Sequence, residues 1–282
     1  DGIVDVSDIL AVIGAWGMCA CEEMPNPVGS ILDRYRSSDL RVLTWNVEHA
    51  NGGTLSFHPA TMTELELAPF IRVLKAIDAD VIVFNEIERD DDVKVLPKWL
   101  HDHVRSGIWQ VHQGIVTVQH RNVIASYYPM NMLATNTIPP AWTGRGVTMA
   151  LIDCPDSCWS TDLYLLGVHL KSGSSPGDEE KRQESADAIA NWLGDLRTVG
   201  GKIDLPQDTP MVVLGDMNFY DEGDQPELTI LTGDIQNEDD YGPDIKGDWD
   251  GTDLIDPIPA DPITGDTWTY WENPFYDEAR TD

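Results

Sequence analysis

Five polar side chains stand where buried-looking apolar runs end. Asn46 closes RVLTWNV, Glu86 closes DVIVFNE, His169 sits near the end of LYLLGVHL, and Asp216 and Asn218 end MVVLGDMN. Their types suit phosphodiester hydrolysis. Mg2+ takes hard oxygen ligands and is held by one or two carboxylates plus water. Glu86 supplies a carboxylate, and Asn46 supplies a neutral amide oxygen that binds or orients a ligand. Asp216 suits orienting or deprotonating an attacking water. Asn218 suits donating to a phosphate, and His169 suits donating to a phosphoryl oxygen or transferring a proton. On an extended chain Asp216 and Asn218, two residues apart, point to the same side. Each residue alone also has a plain structural reading. Asn46 fits a turn, Glu86 fits a solvated loop beside Glu88, Arg89 and Asp90, His169 fits a satisfied core histidine, and GDMN fits a turn. The ordered set is what separates the readings.

Distant residues of this kind meet only if the apolar runs are strands of common sheets. In open α/β sheets the C-terminal strand edge is where sites are built. RVLTWNV, DVIVFNE, RNVIAS, VTMALID, LYLLGVHL and MVVLGDMN read as short buried strands. Between the first two, Leu67, Phe70, Ile71 and Leu74 follow helical spacing, and Thr61 with Glu64 forms a capping-box pair. Ser175-Pro176 opens a second helix, with Ala186, Ile189, Ala190, Leu193 and Leu196 on one face. The pattern predicts an α/β fold.

The 282 residues carry a net charge of −31, which argues against a protein gripping nucleic acid through a broad basic surface. A bound cation can supply local positive charge, so a nuclease is not excluded. Lys171, Lys181 and Arg182 suggest a local basic patch. The acidity is densest after Asp234, where a solvated surface or a calcium-binding loop both fit. No apolar run is long enough to span a membrane. Cys154 and Cys158 lie in CPDSC, a loop that admits a small disulfide, free thiols or a zinc site.

Residues 1–18 read differently from the rest. Asp1, Gly2, Asp5 and Asp8 fall at the spacing of the second half of an EF-hand-type calcium loop, followed by helical spacing of Ile9, Leu10, Ile13 and Trp16. This resembles the tail of a dockerin-type repeat and implies Ca2+ there and a secreted protein; an amphipathic helix with an acidic start is the alternative. Residues 19–38, with Pro25, Pro27 and Gly29, read as a linker.

The ordered motifs TWNVE, DVIVFNEIER, GVHLKS and GDMNFY resemble the endonuclease/exonuclease/phosphatase superfamily over residues 39–282. The resemblance implies a two-sheet α/β sandwich with outer helices. It implies Mg2+ or Mn2+ held by Asn46 and Glu86, with His169, Asp216 and Asn218 as catalytic or phosphate-contacting residues. RNVIASYYPM matches a segment that often reads SRYP, with Tyr127 in place of Arg. Ala279 to Asp282 looks like the start of an R-x-D-Y strand, so Asp282 is the expected partner of a last catalytic histidine. The resemblance further implies that the final strands and a Ser-Asp-His motif lie beyond this sequence, leaving the fragment inactive. The expected substrate is a phosphodiester, DNA or RNA included, with no stable membrane insertion. Asn85-Glu86, where nucleases commonly carry Gln-Glu, points mildly towards a phospholipid phosphodiesterase. A small-molecule phosphatase and a non-catalytic calcium-dependent scaffold are the other readings.

Overall fold

The computed structural model describes residues 38–47, 57–114, 120–131, 146–219, 224–257, 270–271 and 280–281. The dockerin-like segment, the linker up to residue 37 and Asp282 lie outside these residues, as do parts of the acidic C-terminal stretch.

Six expected strands form. They are β1 (Val42–Asn46), β2 (Val81–Ile87), β4 (Arg121–Ser126), β6 (Thr148–Ile152), β7 (Leu163–His169) and β8 (Met211–Asp216), joined by β3 (Gln110–Gln113) and β5 (Met130–Asn131). One four-stranded sheet has the order β1-β2-β4-β3 and the other β5-β6-β7-β8. In each, the single parallel pair, β1 with β2 and β7 with β8, sits at one end and the remaining pairs are antiparallel. A parallel pair needs a crossover. Helix α1 (Glu64–Ile77) provides it for β1–β2, and α3 (Pro176–Arg197) for β7–β8. Two further strands, β9 (Tyr270–Trp271) and β10 (Arg280–Thr281), pair antiparallel.

Side-chain alternation sorts the apolar residues into three layers. Val42, Val81, Val83, Ile124, Leu163, Leu165 and Leu214 face inward and form the core between the sheets. Leu43, Trp45, Ile82, Phe84, Val123 and Ala125 face outward, beneath α1 and α2 (Asp90–His103). Tyr164, Leu166 and Val168 face the opposite way, beneath the α3 residues Ala186, Ile189, Trp192, Leu193 and Leu196. The result is two mixed sheets packed face to face with helices outside, the expected α/β sandwich. Strands buried on both faces explain the near-continuous apolar runs.

Phe57 ties the first outer layer together. Its ring lies 5.0 Å from Phe70 on α1, 5.6 Å from Phe84 on β2 and 5.0 Å from Trp99 on α2. Helix α2 was not anticipated from the sequence, where Glu88 to Asp90 read as loop. Asp90, Asp91 and Asp92 occupy its first turn, where negative charge complements the exposed N–H groups. The N-cap of α1 is Thr63 rather than Thr61: Glu66 N–H donates to Thr63 Oγ1, and the Glu66 carboxylate accepts from the Thr63 N–H at 2.7 Å. Thr61 instead accepts from Arg89 Nη1 at 3.2 Å. Ser175 caps α3 as expected, with Pro176 in the first turn.

Candidate active site

The two parallel pairs bring their C-terminal ends to one edge of the sandwich. In the ladders Asn46 lies beside Asn85, and His169 beside Asp216. By alternation with Val42, Val83, Leu165 and Leu214, these four residues fall on the inward faces.

Glu86 breaks that alternation. Continued pleating would send it outward with Phe84. The register between β2 and β4 slips between Phe84 and Ile87, and Glu86 takes a left-handed φ of 65°. The extra residue returns Ile87 to the outer core and turns Glu86 towards the inner edge, the re-aiming that bulges perform near active sites.

Four side chains converge there. Asn46 Nδ2 donates to Glu86 Oε1 at 3.2 Å and to Asp216 Oδ2 at 2.9 Å. His169 Nε2 lies 3.4 Å from both of those oxygens. Donor atoms of Glu86, His169 and Asp216 all lie within 4.8 Å of one another, a spacing that admits a metal ion. The His169 side chain is 1% exposed and that of Asp216 is 28% exposed, so the cluster opens to solvent on the Asp216 side. His120, at the start of β4, brings Nδ1 to 3.3 Å from Glu86 Oε2. The sequence reading missed His120; no periodicity marks it, and only its place opposite the bulge reveals it.

This donor set fits a divalent cation. Two carboxylate oxygens this close repel each other; Asn46 Nδ2 donates to both and offsets part of that repulsion, and a divalent cation would offset more. Rotating the Asn46 amide about its last bond replaces Nδ2 with Oδ1, so the same side chain can present an oxygen.

Asn85 holds the cluster from behind. Its side chain is fully buried, donating through Nδ2 to Val168 O at 2.7 Å and Asn122 Oδ1 at 2.9 Å. Its Oδ1 accepts from the Asp216 N–H at 3.1 Å. It therefore links β2 to β4, β7 and β8.

The GDMN segment is a turn as well as part of the site. Gly215 has φ 145°, and a β-carbon there would come within 1.9 Å of Val168 O. Asp216 Oδ1 accepts the Asn218 N–H at 3.1 Å, an Asx-turn. Asn218 is left-handed at φ 53°, and its Nδ2 donates to Leu170 O at 3.1 Å. The chain leaves the extended conformation after Asp216. Asn218 pins the end of β7.

The suggested basic patch does not form as expected. Arg182 is buried, donating from Nη1 to Lys171 O at 2.8 Å and Gly173 O at 2.6 Å, so it braces the β7–α3 loop. Lys171 pairs with Asp178 at 2.9 Å. Hydrogen bonds from Ser175 and then Lys171 hold the Asp178 carboxyl down at about 2. Tyr127 lies at the far end of β4, donating to Ser106 O at 3.0 Å with Arg105 3.9 Å over its ring. Cys154 and Cys158 are free thiols, the former buried.

A two-sheet α/β sandwich with an acidic, histidine-containing cluster at the common C-terminal strand edge defines the class. The chain belongs to the Endonuclease/Exonuclease/phosphatase family, whose sequence pattern it matches over residues 43–280. The comparison with curated proteins gives no match. Among solved structures the chain resembles a hairpin-deletion mutant of beta toxin from Staphylococcus aureus, at 16% identity over 68% of this chain and 71% of that one, TM-score 0.46. It resembles an AP endonuclease from Archaeoglobus fulgidus at 15% identity over 65% and 59%, TM-score 0.44. It resembles TDP2 from C. elegans at 16% identity over 64% and 48%, TM-score 0.43. It thus spans about half of the TDP2 chain and under two thirds of the AP endonuclease.

Proposed function

We propose that the chain is a divalent-metal-dependent hydrolase of phosphodiester bonds, a secreted nuclease or phosphodiesterase. The convergence of Asn46, Glu86, His169 and Asp216 from four strands of two sheets carries this reading. Glu86 and Asn46 would hold Mg2+ or Mn2+, with Asp216 and His169 beside them. The ion, when bound, supplies charge neutralisation and polarisation of a phosphoryl oxygen.

The protein's own groups divide the remaining work. Asp216 has the most solvent-accessible carboxylate of the cluster, placed to orient water and accept its proton. His169 Nε2, held between two carboxylates, is placed to donate to a phosphoryl oxygen. Asn218 keeps the GDMN turn closed through Leu170 O, which fixes Asp216. The dockerin-like spacing of residues 1–18 supports a secreted protein with a separate Ca2+ site.

The test is cleavage of plasmid DNA and of a sphingomyelin analogue by the full-length protein, with Mg2+ or Mn2+ and with a chelator. Glu86→Gln and Asp216→Asn are each expected to lower metal-dependent cleavage by at least about 100-fold. Cleavage untouched by Glu86→Gln would refute the metal role. Cleavage of neither substrate by the full-length protein would overturn the phosphodiesterase reading and leave the small-molecule phosphatase and the non-catalytic scaffold, which release of phosphate from a phosphomonoester separates.

A further inference from the structure

We propose that His120 is a positioning residue for the metal centre, holding the outer oxygen of Glu86 so that the inner oxygen is presented to the ion. The inference rests on the metal-dependent reading above and adds a residue to it.

Glu86 lies between two imidazoles. His169 Nε2 lies 3.4 Å from Oε1, and His120 Nδ1 lies 3.3 Å from Oε2, close to it but not aligned as a hydrogen bond. Oε1 is also the oxygen that accepts from Asn46 Nδ2. The two carboxylate oxygens therefore have different duties, one facing the site and one facing His120. A carboxylate on a long side chain at a bulge has several rotamers open to it. An imidazole nitrogen this close to Oε2 favours the rotamer that aims Oε1 at the cluster, and alignment of the two atoms on metal binding would fix it.

The backbone carries the second observation. His120 has φ 70° and Glu86 φ 65°, both left-handed, a conformation unfavourable for residues with a β-carbon. They face each other across one bulge: β2 slips register between Phe84 and Ile87, and Ile87 pairs with Arg121, the residue after His120. Two such residues meeting at a site signal a geometry the fold retains for its side chains. Glycine would relieve the conformation at position 120 but could not touch Glu86. Groups that orient a ligating carboxylate from outside typically change metal affinity by about 10–100-fold.

The experiment is calorimetric titration of the metal-free 282-residue chain with Mn2+, beside its melting temperature in chelator. Wild type is compared with Glu86→Gln, His120→Gly and His120→Asn. His120→Gly is expected to bind Mn2+ about 10–100-fold more weakly, with an unchanged or higher metal-free melting temperature. His120→Asn is expected to recover most of the affinity, because Asn tolerates left-handed φ and carries an N–H as many bonds from Cα as Nδ1. A His120→Gly chain binding within about twofold of wild type overturns the proposal and leaves the metal reading standing. Weakened binding together with a lowered metal-free melting temperature, or no recovery with Asn, assigns His120 a merely structural role and also overturns it. Wild type binding Mn2+ no better than Glu86→Gln overturns the metal reading itself, and this proposal with it.

Discussion

Asn85 has no exposed surface and spends its amide on three strands other than its own. Truncation leaves the Asp216 N–H and the Val168 carbonyl without this partner in the interior, and each such loss typically destabilises by about 1–3 kcal/mol. Asn85→Ala is expected to lower folding stability by about 2–4 kcal/mol. Denaturant unfolding checks this, and a change under about 1 kcal/mol would contradict the clamp. Two other buried groups set an alkaline limit. Burial, followed by the nearby Asp162, pushes the Cys154 thiol up to about 12. Burial likewise raises the Tyr164 hydroxyl to about 12 against a hydrogen bond from Trp192. The unfolded chain releases these protons from about pH 9 to 10 upward while the folded chain keeps them. Stability therefore falls as pH rises through that window to about 12. Under reducing conditions, unfolding midpoints are expected to hold up to about pH 9 and then decline. Cys154→Ala with Tyr164→Phe should flatten the decline, and an identical slope in that double variant would contradict the assignment.

At the scale of elements, α1 shows how close alternatives separate. The sequence TMTELE contains two Thr-x-x-Glu pairs offset by two residues. Both satisfy the capping rule, and only the packing of Leu67, Phe70, Val73, Leu74 and Ile77 fixes which turn comes first. Thr63→Ala is expected to cost about 1 kcal/mol of stability and Thr61→Ala about half of that or less. The reverse ranking in chemical denaturation would mean that the helix begins one half-turn earlier in solution. Helix α3 was easier to read, because Ser175-Pro176 is an unambiguous start and its buried face keeps helical spacing. Helix α2 was hidden because its opening triple Asp and internal Pro97 resemble loop chemistry, although Leu96, Trp99 and Leu100 bury one face.

At the scale of the whole molecule, a net charge of −31 acts against compactness through self-repulsion. Salt at about 0.15 M shortens the range of such repulsion to about 8 Å. The melting temperature in chelator is expected to rise between about 0.01 M and 0.5 M NaCl. A fall would show that specific ion pairs outweigh the net charge. The described ion pairs include exposed ones such as Lys94–Asp91 and Lys246–Asp253, which contribute little. The sequence by itself determined six of the strands, the α/β class and the outer helices α1 and α3, and it pointed to four residues that the fold brings together. These follow from local apolar runs and caps, which act over a few residues. Tertiary structure alone decided that Glu86 turns inward through a bulge, that Asn85 is a clamp, that Asn218 braces a loop, and that Arg182 is buried. It also alone brought His120 to Glu86. The physical reason is range. A bulge changes the phase of a strand against its partner, and a buried amide is satisfied by strands up to 131 residues away, so neither is written in any one segment.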